Sequence, residues 1–108
     1  MKILFETNTP AALAHFLKGH TVSRAAQKGW AKLTNGVLLD VAGNAGFDVL
    51  LTCDRSIQYQ RNFTDRGIAV VILSSNHWPS MRPLAAKIAS AVDFVQRGSI
   101  IRLDLRNL

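Results

Sequence analysis

Two stretches of the chain are apolar at nearly every position: Val49-Leu50-Leu51-Thr52-Cys53, introduced by Asp48, and Ile68-Ala69-Val70-Val71-Ile72-Leu73. Continuous runs of this kind, without alternation, belong to parallel strands covered on both faces. Lys2-Ile3-Leu4-Phe5 reads as an opening strand and Thr21-Val22-Ser23 as a weaker one. From Ser99 to Leu105 the pattern changes, with Ile101, Leu103 and Leu105 alternating against Arg102 and Asp104, as in an edge strand. Helix-period segments lie between these runs. Asn8-Thr9-Pro10 opens a helix that carries Leu13, Phe16 and Leu17 as a stripe and stops at Gly19, with Asn8 or Thr9 as its cap and Pro10 in its first turn. A second helix begins near Thr34-Asn35-Gly36, carries Val37, Leu38, Val41 and Ala42, and ends at Gly46. Residues 55–62 read as a short helix. Residues 79–95 read as the longest, with Leu84, Ile88, Ala91 and Val95 on one face and Pro83 tolerated within its first turn. The alternation predicts an α/β fold in three layers: a central, mainly parallel sheet of four to five strands, flanked by helices and joined by right-handed crossovers.

A length of 108 residues fits one domain, spanning 1–108, and 48% hydrophobic content is enough for a core without a disulfide or metal staple. Cys53 is the single cysteine, which excludes a disulfide framework. No apolar run approaches the ~20 residues of a membrane span, so no membrane partner is expected. The opening Met1-Lys2-Ile3-Leu4-Phe5-Glu6 is too short and too soon acidic for a secretory signal, and a reducing, cytoplasmic location is expected. Charge changes the picture more. Thirteen Lys+Arg against seven Asp+Glu leave a net charge of +6, which draws polyanions or an acidic protein partner. The cations are scattered over Arg55, Arg61, Arg66, Arg82, Lys87, Arg102 and Arg106, and aromatics make up only 7%, so no base-reading signature accompanies them.

In open α/β sheets, functional groups gather beyond the carboxyl ends of the strands. That rule sorts the acids. Glu6 ends the first strand and Asp54 the third, both on the functional edge, whereas Asp48 begins the third strand at the opposite edge. Asp65, Asp93 and Asp104 fall in a loop, a helix end and the tail. Carboxylates paired at one edge suit Mg²⁺ or Mn²⁺, which take oxygen ligands and keep several waters. The alternative is local: Glu6 favouring a helix N-terminus through its dipole, and Asp54 capping the helix that follows. Asn8, Ser74, Ser75 and Asn76 reach the same edge as polar contacts for substrate or metal-bound water, or serve as a helix cap and ordinary turn residues. His15, His20 and His77 share no metal-ligand spacing, Cys53 reads as a core thiol, and Trp30 and Trp78 read as packing residues.

Several of these stretches, taken in order, resemble a small bacterial PIN-like family: Glu6-Thr7-Asn8-Thr9-Pro10, Gly29-Trp30, Asn35-Gly36-Val37-Leu38-Leu39, Gly46-Phe47-Asp48 through Asp54, Tyr59-Gln60-Arg61-Asn62, the run 68–73, and Asn76-His77-Trp78-Pro79. The resemblance covers the chain from Lys2 to about Val95. It implies a metal-dependent ribonuclease on a parallel sheet, related to VapC-type toxins, with RNA as substrate, an antitoxin protein as partner, and a homodimer as assembly. It also implies Mg²⁺ or Mn²⁺ bound by acids at the first strand end, in the second helix and at the third strand end. Carried over by position, these are Glu6, where the family usually has Asp, and Asp54. Val37 occupies the position of the helical acid, and Asp40, one turn further along that helix, is the candidate substitute. The alternative implied by Val37 is a catalytically degenerate module that binds RNA or a partner protein.

Overall fold

The two apolar runs become the centre of the sheet. In the computed structural model, which describes residues 1–59 and 67–108, they form β3 (Val49–Thr52) and β4 (Ala69–Leu73), and every position in both strands is buried. β1 (Lys2–Phe5), β2 (Thr21–Arg24) and β5 (Ile100–Leu103) complete a five-stranded sheet in the order β2-β1-β3-β4-β5, and every adjacent pair is parallel. The α/β reading therefore holds, and the sheet is parallel throughout. Because successive side chains point to opposite faces, each strand feeds two cores. Ile3, Phe5, Val49, Leu51, Val71 and Leu73 face one side, while Leu4, Leu50, Val70 and Ile72 face the other.

Helical segments cover both faces. Over the first lie a 3₁₀ segment, Ala11–Phe16, and two helices, α2 (Trp78–Met81) and α3 (Ala85–Asp93), contributing Leu13, Met81, Ala85, Ile88 and Val92. Over the second lie α1 (Asn35–Asn44) and the 3₁₀ segments Ala25–Lys28 and Arg55–Tyr59, contributing Leu38, Leu39, Ala42, Ala25 and Ile57. α1 ends where expected: Gly46 takes a left-handed φ of 84°, and the Phe47 amide reaches back to the Ala42 carbonyl. Trp30 and Trp78 pack against Phe47 and Phe16 respectively.

Three expected helices come out differently. The first is only the six-residue 3₁₀ segment, entered from Pro10 with no side-chain cap. Neither expected cap is used: Pro10 itself holds the capping position, the Thr9 hydroxyl donates to the Leu51 carbonyl, and Asn8 gives its backbone N–H to Glu6. The long helix expected over 79–95 is broken by the 3₁₀ turn Arg82–Leu84 between α2 and α3. Pro83 lacks the N–H that the ladder needs and its ring crowds the carbonyl four residues back. The break rotates the buried stripe to Met81, Ala85, Ile88 and Val92, so of the expected face only Ile88 is fully buried. The helix expected over 55–62 is a 3₁₀ turn, Arg55–Tyr59, and the rest of that stretch, with Arg61 and Asn62, lies outside the described residues, as do Asp65 and Arg66.

Candidate functional site at the carboxyl edge

Strand order places the site. The chain leaving β1 returns to β2 on one side, while the chain leaving β3 proceeds to β4 on the other. A crevice opens where neighbouring strands send their connections apart, beyond their carboxyl ends. Phe5 pairs with Leu51, so the next residues, Glu6 and Thr52, come out side by side, and the Glu6 amide donates to the Leu51 carbonyl at 2.8 Å.

Glu6 and Asp54 meet at one buried hydroxyl. Thr52, fully buried, donates from Oγ1 to Glu6 Oε1 at 3.3 Å and accepts the Asp54 backbone N–H at 3.0 Å. Glu6 Oε2 accepts the Asn8 amide at 3.1 Å. Asp54 is held from the other side. Its Oδ2 accepts Asn35 Nδ2 at 3.0 Å, and its Oδ1 accepts both the Ser56 amide, at 2.9 Å, and the Ser56 hydroxyl, at 2.7 Å. The second Asn35 amide hydrogen goes to Ser56 Oγ at 2.9 Å, closing a ring of three side chains. These bonds, that from Asn35 foremost and then those from Ser56, hold the Asp54 carboxyl below its ordinary value of 3.8. Among the described residues neither Glu6 nor Asp54 forms a salt bridge, so their negative charge is oriented by neutral donors and left uncompensated.

Asn8, Cys53, Asp54, Ser74, Ser75 and Asn76 line an open cleft of about 340 Å³. Ser75 Oγ accepts the His77 amide at 3.0 Å, fixing the turn after β4. Cys53 lies just past the end of β3 as a half-buried cleft residue, not in the strand core as its sequence context suggests. Its sulfur approaches the Ser75 carbonyl at 3.5 Å and the Asn8 carbonyl at 4.0 Å. Burial, with Glu6 adding to it, pushes this thiol up to about 11 against a smaller opposing hydrogen bond from Thr9. The thiol therefore stays protonated at neutral pH and is no nucleophile.

The structure thus gathers Asp54, Asn8, Ser75 and Asn76 around one cleft, with Glu6 bonded to Thr52 beside it and outside the lining. It does not gather Asp40. Among the described residues no group of three or more His, Cys, Asp and Glu side chains is placed to share a metal ion, so Asp40, exposed on α1, does not complete a trio with Glu6 and Asp54. Val37, near the start of the same helix, keeps 46% of its surface exposed. Thr52, Asn35 and Ser56 hold the two strand-end acids in place, and the strand-end rule missed them. The Asp54-x-Ser56 spacing was the one local signal, because an Asp side chain commonly accepts the amide two residues on.

The oxygen donors of Glu6 and Asp54 are of the kind a hard divalent cation takes. A carboxylate offers about four acceptor sites; two are used on Glu6 and three on Asp54. Both acids retain capacity for an ion that takes few protein ligands and keeps its waters. No helix among the described residues is long and apolar enough to cross a membrane. The chain matches no known family model, no curated protein and no solved structure at a significant level.

Proposed function

We propose that the chain is a Mg²⁺- or Mn²⁺-dependent endoribonuclease of PIN-like type, the toxin half of a toxin–antitoxin pair acting in the cytoplasm. The observation that carries this reading is the Thr52 hydroxyl, which ties Glu6 to the backbone of Asp54 at the switch point of the sheet. Glu6 and Asp54 would hold the ion, with Asn8 as a further oxygen donor. Such an ion supplies Lewis acidity toward a phosphodiester and a lowered pKa for an attacking water. The chain's own residues prepare that site. Asn35 and Ser56 keep Asp54 ionised and oriented, and Thr52 keeps Glu6 from swinging away. Asn8, Ser75 and Asn76 offer polar contacts along the cleft, and the net charge of +6 draws the polyanion toward it. Mn²⁺-supported cleavage of a single-stranded RNA, abolished by EDTA and by Asp54→Ala, is the expected result. Undiminished cleavage by that variant, in a preparation free of contaminating nuclease, overturns the assignment. Growth arrest on induced expression, relieved by the same substitution, tests the toxin role.

Exposed Val37 and the lack of a three-acid group among the described residues favour a second reading, a degenerate module that binds RNA or a partner protein without cutting. It expects no heat on Mn²⁺ titration and no cleavage, with RNA or partner affinity retained.

A further inference from the structure

The wall that closes the acidic cleft also closes a basic one. Ser74 and Ser75 line the cleft beside Asp54, and the same two residues line a second cleft of about 440 Å³ whose other polar walls are Arg55, Ser80 and Arg106. Arg55 follows Asp54 directly in the chain, so the last turn of backbone at this edge sends a carboxylate to one cleft and a guanidinium to the next. The two serine hydroxyls are polarised for an anion. Ser74 Oγ accepts the Leu105 amide at 2.9 Å and Ser75 Oγ accepts the His77 amide at 3.0 Å. With backbone donors occupying their oxygens, both hydroxyls have a proton left to give. Among the described residues the Arg55 guanidinium forms no hydrogen bond or salt bridge, and Asp104 lies close enough to feel its charge. Arg106 is held by Asp104, through Nε to Oδ1 and Nη2 to Oδ2, both at 3.2 Å. Arg106 is exposed and Asp104 partly so, and an ion pair so open to water is worth little enough to exchange for a phosphate.

We propose that the cleft between Arg55 and Arg106, with Ser74, Ser75 and Ser80 on its walls, binds a backbone phosphate of a single-stranded polynucleotide, one step along the strand from the phosphate that lies at Asp54. Arg55 is the standing anchor, presenting the planar fork that matches phosphate oxygens. Arg106 is the exchangeable second, released from Asp104 when the phosphate arrives. An extended chain fits better than a small free anion, because Ser74 and Ser75 line both clefts and give a strand a continuous polar wall to follow beyond the cationic cleft. The direction of the strand rests on the nuclease reading; the binding itself does not.

The test uses the full chain in EDTA, so that no metal contributes. A fluorescently labelled oligouridylate is titrated by anisotropy over a range of salt concentrations, and inorganic phosphate is titrated in parallel by amide NMR. Arg55→Ala is expected to weaken oligouridylate binding about tenfold and to reduce the slope of log K against log salt by about 0.7, the share of one phosphate contact on a single strand. Asp104→Asn is expected to tighten binding about threefold by freeing Arg106. Both positions lie at the surface, and an unchanged amide spectrum elsewhere establishes that the variants are folded. Oligouridylate affinity and salt slope that ignore Arg55→Ala overturn the proposal. Phosphate-induced shifts at Ser74 and Ser75 alongside an indifferent oligouridylate also overturn it, in favour of a small-phosphate site. Binding that depends on Arg55 in a protein that never cleaves RNA supports the subsite while removing the nuclease reading. Cleavage at subsaturating RNA that is indifferent to Arg55→Ala does the reverse.

Discussion

Asp48 and Asp54 bracket the same strand, and the sheet uses them in opposite ways. Asp48, at the amino edge, spends its carboxylate on structure: Oδ2 accepts the Lys2 amide at 2.8 Å and Oδ1 faces the Arg97 guanidinium at 3.3 Å. Its charge is locally matched by a cation, and its role is to tie the start of β3 to the start of β1. Asp54, at the carboxyl edge, is gripped at least as firmly, but by the neutral donors Asn35 and Ser56. Neutral donors orient a carboxylate without cancelling its charge, so Asp54 remains a net negative group facing a cleft. Two aspartates six positions apart thus differ less in how well they are held than in what holds them.

Exchanging their side chains for neutral ones separates the roles. Asp54→Ala is expected to lower RNA cleavage by a hundredfold or more, about 2.7 kcal/mol of barrier, while Asp48→Asn stays within about twofold; initial rates on a labelled RNA with Mn²⁺ measure both. Equal losses would erase the distinction between the two edges. Thr52→Val attacks the link between Glu6 and Asp54 and leaves the Asp54 amide without its partner. A cost of about 1–3 kcal/mol is expected from urea unfolding, with Thr52→Ser recovering most of it. Val37→Glu adds a carboxylate at an exposed position of α1. A gain of about tenfold in kcat/KM at fixed Mn²⁺ is expected if charge at this edge limits the reaction.

The smallest effect is in the pH dependence of stability. The folded Asp54 carboxyl sits below its ordinary value of 3.8, so its contribution is fully present above that pH. It is lost as pH falls from 3.8 through the lower folded value, because the unfolded chain takes up the proton first. Asp54→Asn is therefore expected to flatten the acid limb of a urea-midpoint profile in that window, and Ser56→Ala to flatten it in part. A wild-type limb identical to that of Asp54→Asn would show that the Asn35 and Ser56 bonds do not persist in solution.

Much of the fold was legible because its signals are local. Unbroken apolar runs can be satisfied only where both faces are covered, and β3 and β4 are buried at every position. The C-terminal end of α1 followed from Gly46, whose left-handed φ needs no partner elsewhere in the chain. The 79–95 stretch misled for an equally local reason, with apolar spacing persisting across Pro83 while the backbone ladder did not. The first helix misled for a distant one, because the Thr9 hydroxyl donates to the Leu51 carbonyl on β3, 42 residues away, and accepts no amide at the helix start. Of the candidate site, the strand-end acids Glu6 and Asp54 were readable from position alone. Asn35 and Thr52 were not, since each comes to hold an acid only through a contact with a residue far along the chain.

By itself, then, the sequence determined which segments go inside, that the sheet would be mainly parallel, and which acids would stand at its carboxyl edge; apolar run length and turn residues act over a few positions and survive without tertiary context. The order of the strands was decided only in three dimensions. Placing β1 against β3, with the connections leaving on opposite sides, is what opens a crevice and sets Glu6 beside Thr52, 46 residues away. The same placement puts Ser74 and Ser75 between an acidic cleft and a basic one. Pairing across such separations depends on how two cores close around one sheet, and no local pattern encodes it.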